Sequence, residues 1–154
     1  MTDYDPGALA IAQSNAELNG LGPGVWVREF DWAEGHVPYP HGSGYDLIIG
    51  SDLLYSSAMA ERLHKALCAI LEACPRAVAV ISHEVRHSVT WGPDKEPLFE
   101  SFDSVLHSFL SAFSGPREPG SISYKQIGAE PGPGALYKGS EGQICLFEFK
   151  RVRV

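Results

Sequence analysis

The sequence predicts an α/β fold, and three features of its 154 residues support that prediction. Two short apolar runs, residues 46–51 and 77–82, are typical of strands in a parallel sheet that is covered on both faces. A segment with helical periodicity lies between them. The chain ends with two consecutive strand-like segments, which indicate a hairpin. We therefore expect a mostly parallel sheet with an antiparallel C-terminal hairpin.

The first predicted element is a helix near the start of the chain. Asp5 suits the N-cap position and Pro6 suits the first helical position. Asn19-Gly20 can end this helix in a left-handed turn. A weakly apolar face is expected from four residues between these ends, namely Ala8, Ile11, Ala12 and Leu18.

The middle of the chain alternates between strand and helix patterns. Residues 25–30 alternate like a strand, and residues 31–44 form a polar connector before the apolar strand at 46–51. Either Ser56 or Ser57 caps the next helix. Its buried stripe is predicted at Met59, Leu63, Ala66, Leu67, Ile70 and Leu71.

The C-terminal part is predicted to hold one more helix and the hairpin. The helix, over residues 98–113, has a stripe formed by Leu98, Phe102, Val105, Leu106, Phe109 and Phe113. Residues 121–127 and 143–154 are predicted strands, and residues 130–139 are a Pro/Gly turn region. The length favours a single domain over residues 1–154.

The composition excludes several classes of partner. A formal net charge of -7 argues against a nucleic-acid groove and against binding to an anionic membrane. No apolar run approaches the roughly 18 residues of a membrane helix, and the N-terminus shows no secretory signal. Three cysteines without metal-ligand spacing indicate reduced thiols. We expect a cytoplasmic location, with the nucleus as an alternative.

His83-Glu84-Val85-Arg86-His87 matches the zinc metalloprotease pattern H-E-x-x-H. That chemistry requires a helix, which brings histidines four residues apart onto one face. Here the motif continues a strand, where residues four apart are about 13 Å apart and cannot bind one ion together. We therefore predict no metal site, although a zinc hydrolase, with His107 as a nominal third ligand, stays an alternative.

Asp52 and Tyr55 are the first candidate site residues. They follow the apolar strand at 46–51, at the edge where open α/β sheets place their ligands. The alternative is structural: Asp52 caps the following helix and Tyr55 packs at its edge.

Asp3 and Trp32 are further candidates. An acid at a strand end hydrogen-bonds a ribose in dinucleotide-type folds, and Thr2-Asp3 ahead of a helix fits that position, as any N-cap Asp also would. Trp32 follows the strand at 25–30 and either stacks on a flat ring such as adenine or covers core.

Together these segments resemble the lysine methyltransferase branch of the seven-β-strand, S-adenosylmethionine-dependent methyltransferases. The order of the segments along the chain carries the resemblance. Ser51-Asp52-Leu53-Leu54-Tyr55 is similar to the D-x-x-Y motif of this group. The other matching segments are Thr2-Asp3 with Leu9, Asn15 and Asn19, then Asp31-Trp32, and Glu84-x-Arg86 at the end of the fifth family strand.

The resemblance implies a Rossmann-like sheet, S-adenosylmethionine as cofactor and a protein substrate that is methylated on a lysine side chain. It also implies the residues that bind the cofactor. Asp3 would bind the ribose, Asp31 and Trp32 would contact the adenine, and Ser51 would lie beside the cofactor.

The resemblance assigns the catalytic roles to Asp52 and Tyr55. Asp52 would orient the incoming lysine amine, and Tyr55 would line the lysine channel. The first strand of the family and its glycine loop are missing, so the chain resembles an N-terminally truncated methyltransferase. The missing strand belongs between the second and the fourth, and we expect this chain alone to bind S-adenosylmethionine poorly. A catalytically inactive binding module is the alternative function.

Overall fold

The computed structural model describes residues 1–34, 37, 44–85, 88–91, 93–100, 102–131 and 143–152. The chain divides into two compact units, Met1–Gly44 and Tyr45–Val154. The single domain expected from the length stays a prediction. Among the helices of the described residues, none is long and apolar enough to span a membrane.

The described residues of the unit Met1–Gly44 contain a parallel strand pair, an α-helix and a short 3-10 helix, Gly22–Gly24. Strand β1 (Thr2–Asp3) pairs with β2 (Arg28–Glu29), and α1 (Pro6–Leu18) connects them. As predicted, Asp5 caps α1: its Oδ1 accepts the Ala8 N–H at 2.8 Å. The sequence pattern alone did not predict β1, although the family resemblance placed Thr2-Asp3 at a strand end, and the strand expected over residues 25–30 is confirmed only at Arg28–Glu29.

The predicted apolar face of α1 is wrong at two positions. Ala16 is the buried residue of this helix, with Leu9 and Ala12 half-buried on the same stripe. Ile11 and Leu18 are exposed because they lie off that stripe. The helix therefore packs through small side chains and buries little apolar surface.

The unit Tyr45–Val154 contains the remaining elements. In chain order these are β3 (Leu47–Ser51), α2 (Ser57–Ala73), β4 (Val78–Glu84), β5 (Ser88–Trp91), β6 (Pro97–Glu100), α3 (Phe102–Ser111), β7 (Ile122–Pro131) and β8 (Gln143–Arg151). β5 and β6 form an antiparallel pair of their own. The helix predicted from residue 98 is wrong at its start, because Leu98 belongs to β6. The turn expected at residues 130–139 falls outside the described part from residue 132 onward.

A four-stranded sheet with the order β3-β4-β8-β7 forms the centre of this unit. β3 and β4 are parallel, and β8 is antiparallel to both of its neighbours. β7 therefore runs in the same direction as β3 and β4, and β8 is the single reversed strand. This arrangement confirms the predicted mostly parallel sheet with a C-terminal antiparallel hairpin.

Helices α2 and α3 pack on one face of this sheet. The predicted stripe of α2 is confirmed from Leu63 to Leu71, while Met59 is half-buried and Ala60 is buried. On the sheet side, Phe149 is fully buried beside Ala79. Three rings meet there in edge-on or tilted contacts, with centroids 4.9 to 5.6 Å apart, namely Phe109, Phe113 and Phe149.

The expectation that β3 is buried on both faces is wrong for the described structure. Leu47 is 59% exposed and Ile49 is 77% exposed. Among the described residues β3 pairs with β4 alone, at the end of the sheet. The two helices cover only the opposite face, so the apolar sequence of β3 did not indicate two covered faces.

The three cysteines, all in described segments, are free thiols. The sulfur of Cys74 accepts the backbone N–H of Tyr45 at 3.3 Å. Burial raises the pKa of the Cys68 thiol, with a further increase from the charge of Glu72, and burial also raises the pKa of Cys145. Raised pKa values reduce the thiolate fraction, so Cys68 and Cys145 are poor nucleophiles.

Candidate functional site

The carboxyl ends of the parallel strands β3 and β4 are joined by two hydrogen bonds. Ser51 and Ser82 are opposite each other in the register, and the Ser82 hydroxyl donates to Ser51 Oγ at 2.8 Å. The backbone N–H of Asp52 donates to the Ser82 carbonyl oxygen at 2.9 Å. These bonds fix the start of the loop that follows β3.

Asp52 has a left-handed backbone conformation, with φ of 57°. For residues other than glycine this conformation costs roughly 1–2 kcal/mol, although Asp and Asn tolerate it better than most. Strain of this kind concentrates at functional sites. The turn ends β3 abruptly and gives the half-buried Asp52 a fixed position at the sheet edge.

The residues after Asp52 connect β3 to α2. Leu54 is buried and anchors the loop, whereas Tyr55 is 58% exposed. Ser56 accepts the Met59 N–H at 3.4 Å and is the N-cap of α2. The N-cap of α2 is therefore Ser56. The alternative explanation for Asp52, that it caps this helix, is wrong.

Sequence reasoning missed two residues of this loop environment. Ser82 ends the apolar run at residues 77–82 in the same way that Ser51 ends the run at 46–51, and this shared pattern could have indicated a pair. Gly50 is the second: a Cβ at this position would lie 2.6 Å from Leu53 Cδ1 and 3.0 Å from Ile81 Cδ1. Glycine therefore lets Leu53 fold back against β3.

The unit Met1–Gly44 brings Asp3 and Asp31 close together. Asp3 is the last residue of β1, and its carbonyl oxygen accepts the N–H of Phe30 at 2.8 Å. Asp31 comes directly after Phe30. The two acids therefore lie at the carboxyl ends of the neighbouring parallel strands β1 and β2. Asp3 Oδ1 accepts the Asp5 N–H at 2.9 Å, and Asp31 Oδ1 accepts the Ala33 N–H at 2.8 Å.

Trp32 follows Asp31 and is half-buried. A second tryptophan in this unit, Trp26, has the Arg28 guanidinium carbon 4.9 Å from its ring centroid. Sequence reasoning did not single out this pair. The side chains of Asp3, Asp31 and Trp32 thus occupy one strand-end region of their unit, and Ser51, Asp52 and Tyr55 occupy another in the unit Tyr45–Val154.

The H-E-x-x-H segment begins in strand β4, as the neighbouring residues predicted. His83 and Glu84 are the last two residues of that strand, and His83 is buried. Arg86 and His87 lie outside the described residues. In the described segments no group of three or more His, Cys, Asp or Glu side chains is arranged to hold a metal ion.

Comparison with known proteins assigns this arrangement to a family. A sequence model of a family described as lysine methyltransferase matches residues 1–96, more than half of the chain.

Solved structures show the same fold. The PH0226 protein of Pyrococcus horikoshii has a TM-score of 0.58 and 8% sequence identity, over 97% of this chain and 69% of that one. An S-adenosylmethionine-dependent methyltransferase from Clostridium acetobutylicum has a TM-score of 0.51 and 10% identity, over 97% and 73% of the two chains. These similarities show a Rossmann-like α/β fold of the methyltransferase type.

A curated relative gives a weaker similarity. The C/D protein of the NADH-quinone oxidoreductase of Pectobacterium atrosepticum is 26% identical over 139 residues, which are 88% of this chain and 22% of that protein. The chain therefore spans about a fifth of the length of the curated relatives it matches. At this identity the similarity does not assign the chain to that family.

The residues present fit the cofactor that the family implies, S-adenosylmethionine. Ribose hydroxyls are donors and need acceptors, and Asp3 is an exposed carboxylate at a strand end. Its Oδ2 has no hydrogen bond within the described part of the chain. The half-buried ring of Trp32 provides a flat surface of the kind on which adenine stacks.

Proposed function

Because the chain belongs to the lysine methyltransferase family, we propose that it transfers a methyl group from S-adenosylmethionine to a lysine side chain of a protein. The observation that carries this proposal is the turn after β3. There an acid in a left-handed conformation follows the parallel strand pair, and an exposed tyrosine comes three residues later. This is the position at which open α/β sheets present residues to a ligand.

The cofactor would be held by the chain's own polar and aromatic side chains. When bound, S-adenosylmethionine supplies an electrophilic methyl group on a sulfonium centre. We assign the ribose hydroxyls to the Asp3 carboxylate and the adenine to Asp31 and Trp32. Ser51, fixed by its bond with Ser82, would lie beside the cofactor.

The lysine would attack as a neutral amine, so it must first lose a proton to solvent. A channel with little water lowers the pKa of the ammonium group and favours this loss. Asp52 would accept a hydrogen bond from the amine and direct its lone pair, and Tyr55 would contact the ammonium or methylammonium cation through its ring. Alignment of this kind can supply roughly 7–11 kcal/mol of the barrier reduction.

Substitution of Asp52 by asparagine tests the assignment. Asparagine also tolerates the left-handed conformation, so Asp52→Asn removes the charge without adding backbone strain. We expect the transfer of labelled methyl groups to protein lysines to fall by about a hundredfold. The assay uses the longest natural protein that contains this chain. The proteins of a cell lysate serve as acceptors of the labelled methyl group.

Asp46→Asn is the matched control, because Asp46 is an exposed acid just ahead of β3 and has no assigned role in the reaction. Methyl transfer by Asp52→Asn at the control rate would remove Asp52 from the mechanism. A protein that binds S-adenosylmethionine and transfers no methyl group would instead be the inactive binding module.

We also propose that the sheet of the active enzyme continues beyond β3 with another strand. Within the described segments, one edge of β3 has no strand partner, and its Leu47 and Ile49 are exposed, which supports this proposal. Residues 1–154 alone should then bind S-adenosylmethionine poorly, and micromolar binding by this chain in titration calorimetry would contradict the proposal.

The free thiols suit a reducing compartment, so the cytoplasm is the proposed location, with the nucleus as an alternative.

A further inference from the structure

A basic cavity lies in the unit Tyr45–Val154, at the end of the sheet where β4 begins and β8 ends. Its volume is about 540 Å³. Four cationic side chains and one hydroxyl line it beside apolar residues: Arg76, Arg117, Lys150, Arg151 and Ser123. Ser82, at the candidate methyl-transfer site, is four residues along β4 from Val78 of the cavity lining, or about 13 Å at the rise of a strand. The cavity is therefore separate from that site.

The charge around this cavity is opposite to that of the chain as a whole. The sequence has 12 Lys and Arg against 19 Asp and Glu, yet four of the 12 cations line this cavity and, among the described residues, no carboxylate side chain does. Lys150 has a partial partner in Glu148 at 3.4 Å, but Glu148 also binds Lys125 at 3.2 Å. The cluster thus carries an excess of positive charge that an anion would neutralise.

Two of the cations form no ion pair with a carboxylate of the described residues. Arg76 and Arg117 are exposed, and neither forms an ion pair with another described residue. The hydroxyl of Ser123 is half-buried beside them in the lining. These groups are available to donate hydrogen bonds to a ligand.

Arg151 is held in place before any ligand arrives. Its Nε–H donates to the Gly120 carbonyl oxygen at 3.1 Å, and its Nη1 donates to the Glu72 carbonyl oxygen at 3.5 Å. Gly120 is itself fixed, since its N–H donates to the Val152 carbonyl oxygen at 3.0 Å. Only two of the five guanidinium N–H groups are used in these bonds.

We propose that this cavity binds the phosphoryl group of a small phosphate ester. Arginine forms paired, charge-assisted hydrogen bonds with phosphate oxygens, and three arginines meet here. A phosphate dianion offers more acceptor oxygens than a monocarboxylate, which suits a site with several cations and a hydroxyl. The cavity volume lies within the range of roughly 300–1,000 Å³ that is usual for small-molecule sites.

Calorimetric titration of this 154-residue chain with phosphoserine, inorganic pyrophosphate and acetate tests the proposal. We expect saturable binding of the two phosphate compounds at low ionic strength, weaker binding as salt is added, and no binding of acetate. Arg76→Gln and Arg117→Gln should each weaken phosphoserine binding by about tenfold. Arg62→Gln, which removes the same charge from an exposed position of α2, should leave it unchanged.

Gly120→Ala provides a variant that keeps every charge. A Cβ at this position would lie 3.2 Å from Nη2 of Arg151, and the φ of +93° disfavours a side chain. This variant should weaken phosphoserine binding while its circular dichroism spectrum stays that of the wild type.

Equal losses in Arg62→Gln, or wild-type binding by an Arg76→Gln and Arg117→Gln double variant, would overturn the proposal. A phosphopeptide that binds at least about tenfold more tightly than phosphoserine would overturn the small-molecule assignment.

Discussion

At position 50 of β3, the side chains of Leu53 and Ile81 occupy the space that a Cβ would take. A Cβ there would contact Leu53 Cδ1 and Ile81 Cδ1 at 3.0 Å or less. Overpacking costs about 1–3 kcal/mol, which exceeds the roughly 0.5–1 kcal/mol gained when alanine replaces glycine in a strand. We expect Gly50→Ala to lower the free energy of unfolding by about 1 kcal/mol in urea denaturation. Gly115→Ala is the control, since no atom lies within 4 Å of its added Cβ, and an equal loss there would contradict this prediction.

His64 links stability to pH. Burial lowers its pKa below the usual 6.5, a hydrogen bond with the Ala112 backbone opposes this, and the charge of Lys65 adds to the lowering. The unfolded chain therefore takes up this proton at a higher pH than the folded one, and stability falls as pH drops below about 6.5. His64→Gln should reduce the loss of unfolding free energy between about pH 7.5 and pH 5.5. The same loss in wild type and variant would contradict this.

At the scale of the helix, the two serines before α2 have different roles. Ser56 is the N-cap, and Ser57 is the first helical residue. Ser56→Ala should destabilise the protein by about 1 kcal/mol because a backbone N–H at the helix start loses its acceptor. Ser57→Ala should have little effect, because alanine is a good helix former. Thermal unfolding of both variants tests this, and equal stabilities would show that the cap contributes nothing.

Helix α2 and the C-terminal hairpin were predictable because their signals are local. Caps and apolar spacing define α2, and alternation defines the strands. The start of α3 was misplaced because Leu98 has helical spacing to Phe102, although it belongs to β6. The partners of the candidate site were harder to predict. The pairing of Ser51 with Ser82 depends on which strands become neighbours, and the exposure of Ile49 depends on which face the helices cover.

At the scale of the whole molecule, apolar burial is unevenly distributed between the two units. The buried apolar residues described in Met1–Gly44 are Ala16, Phe30 and Val37. Helix α1 buries one residue, whereas α2 buries six. Because opening an element costs less when it buries less apolar surface, the amides of α1 should exchange with deuterium faster than those of α2. Mass spectrometry after timed exchange measures this, and slower exchange in α1 would contradict it.

The uncovered edge of β3 has a practical consequence for handling this chain. Among the described residues only one edge of β3 is paired, and the other edge, with Leu47 and Ile49 exposed, is a template on which a second molecule can extend the sheet. Crowded solutions therefore favour intermolecular β-pairing and, eventually, precipitation. Ile49→Lys places a charge on this strand. We expect this charge to oppose intermolecular strand pairing and to keep the protein monodisperse.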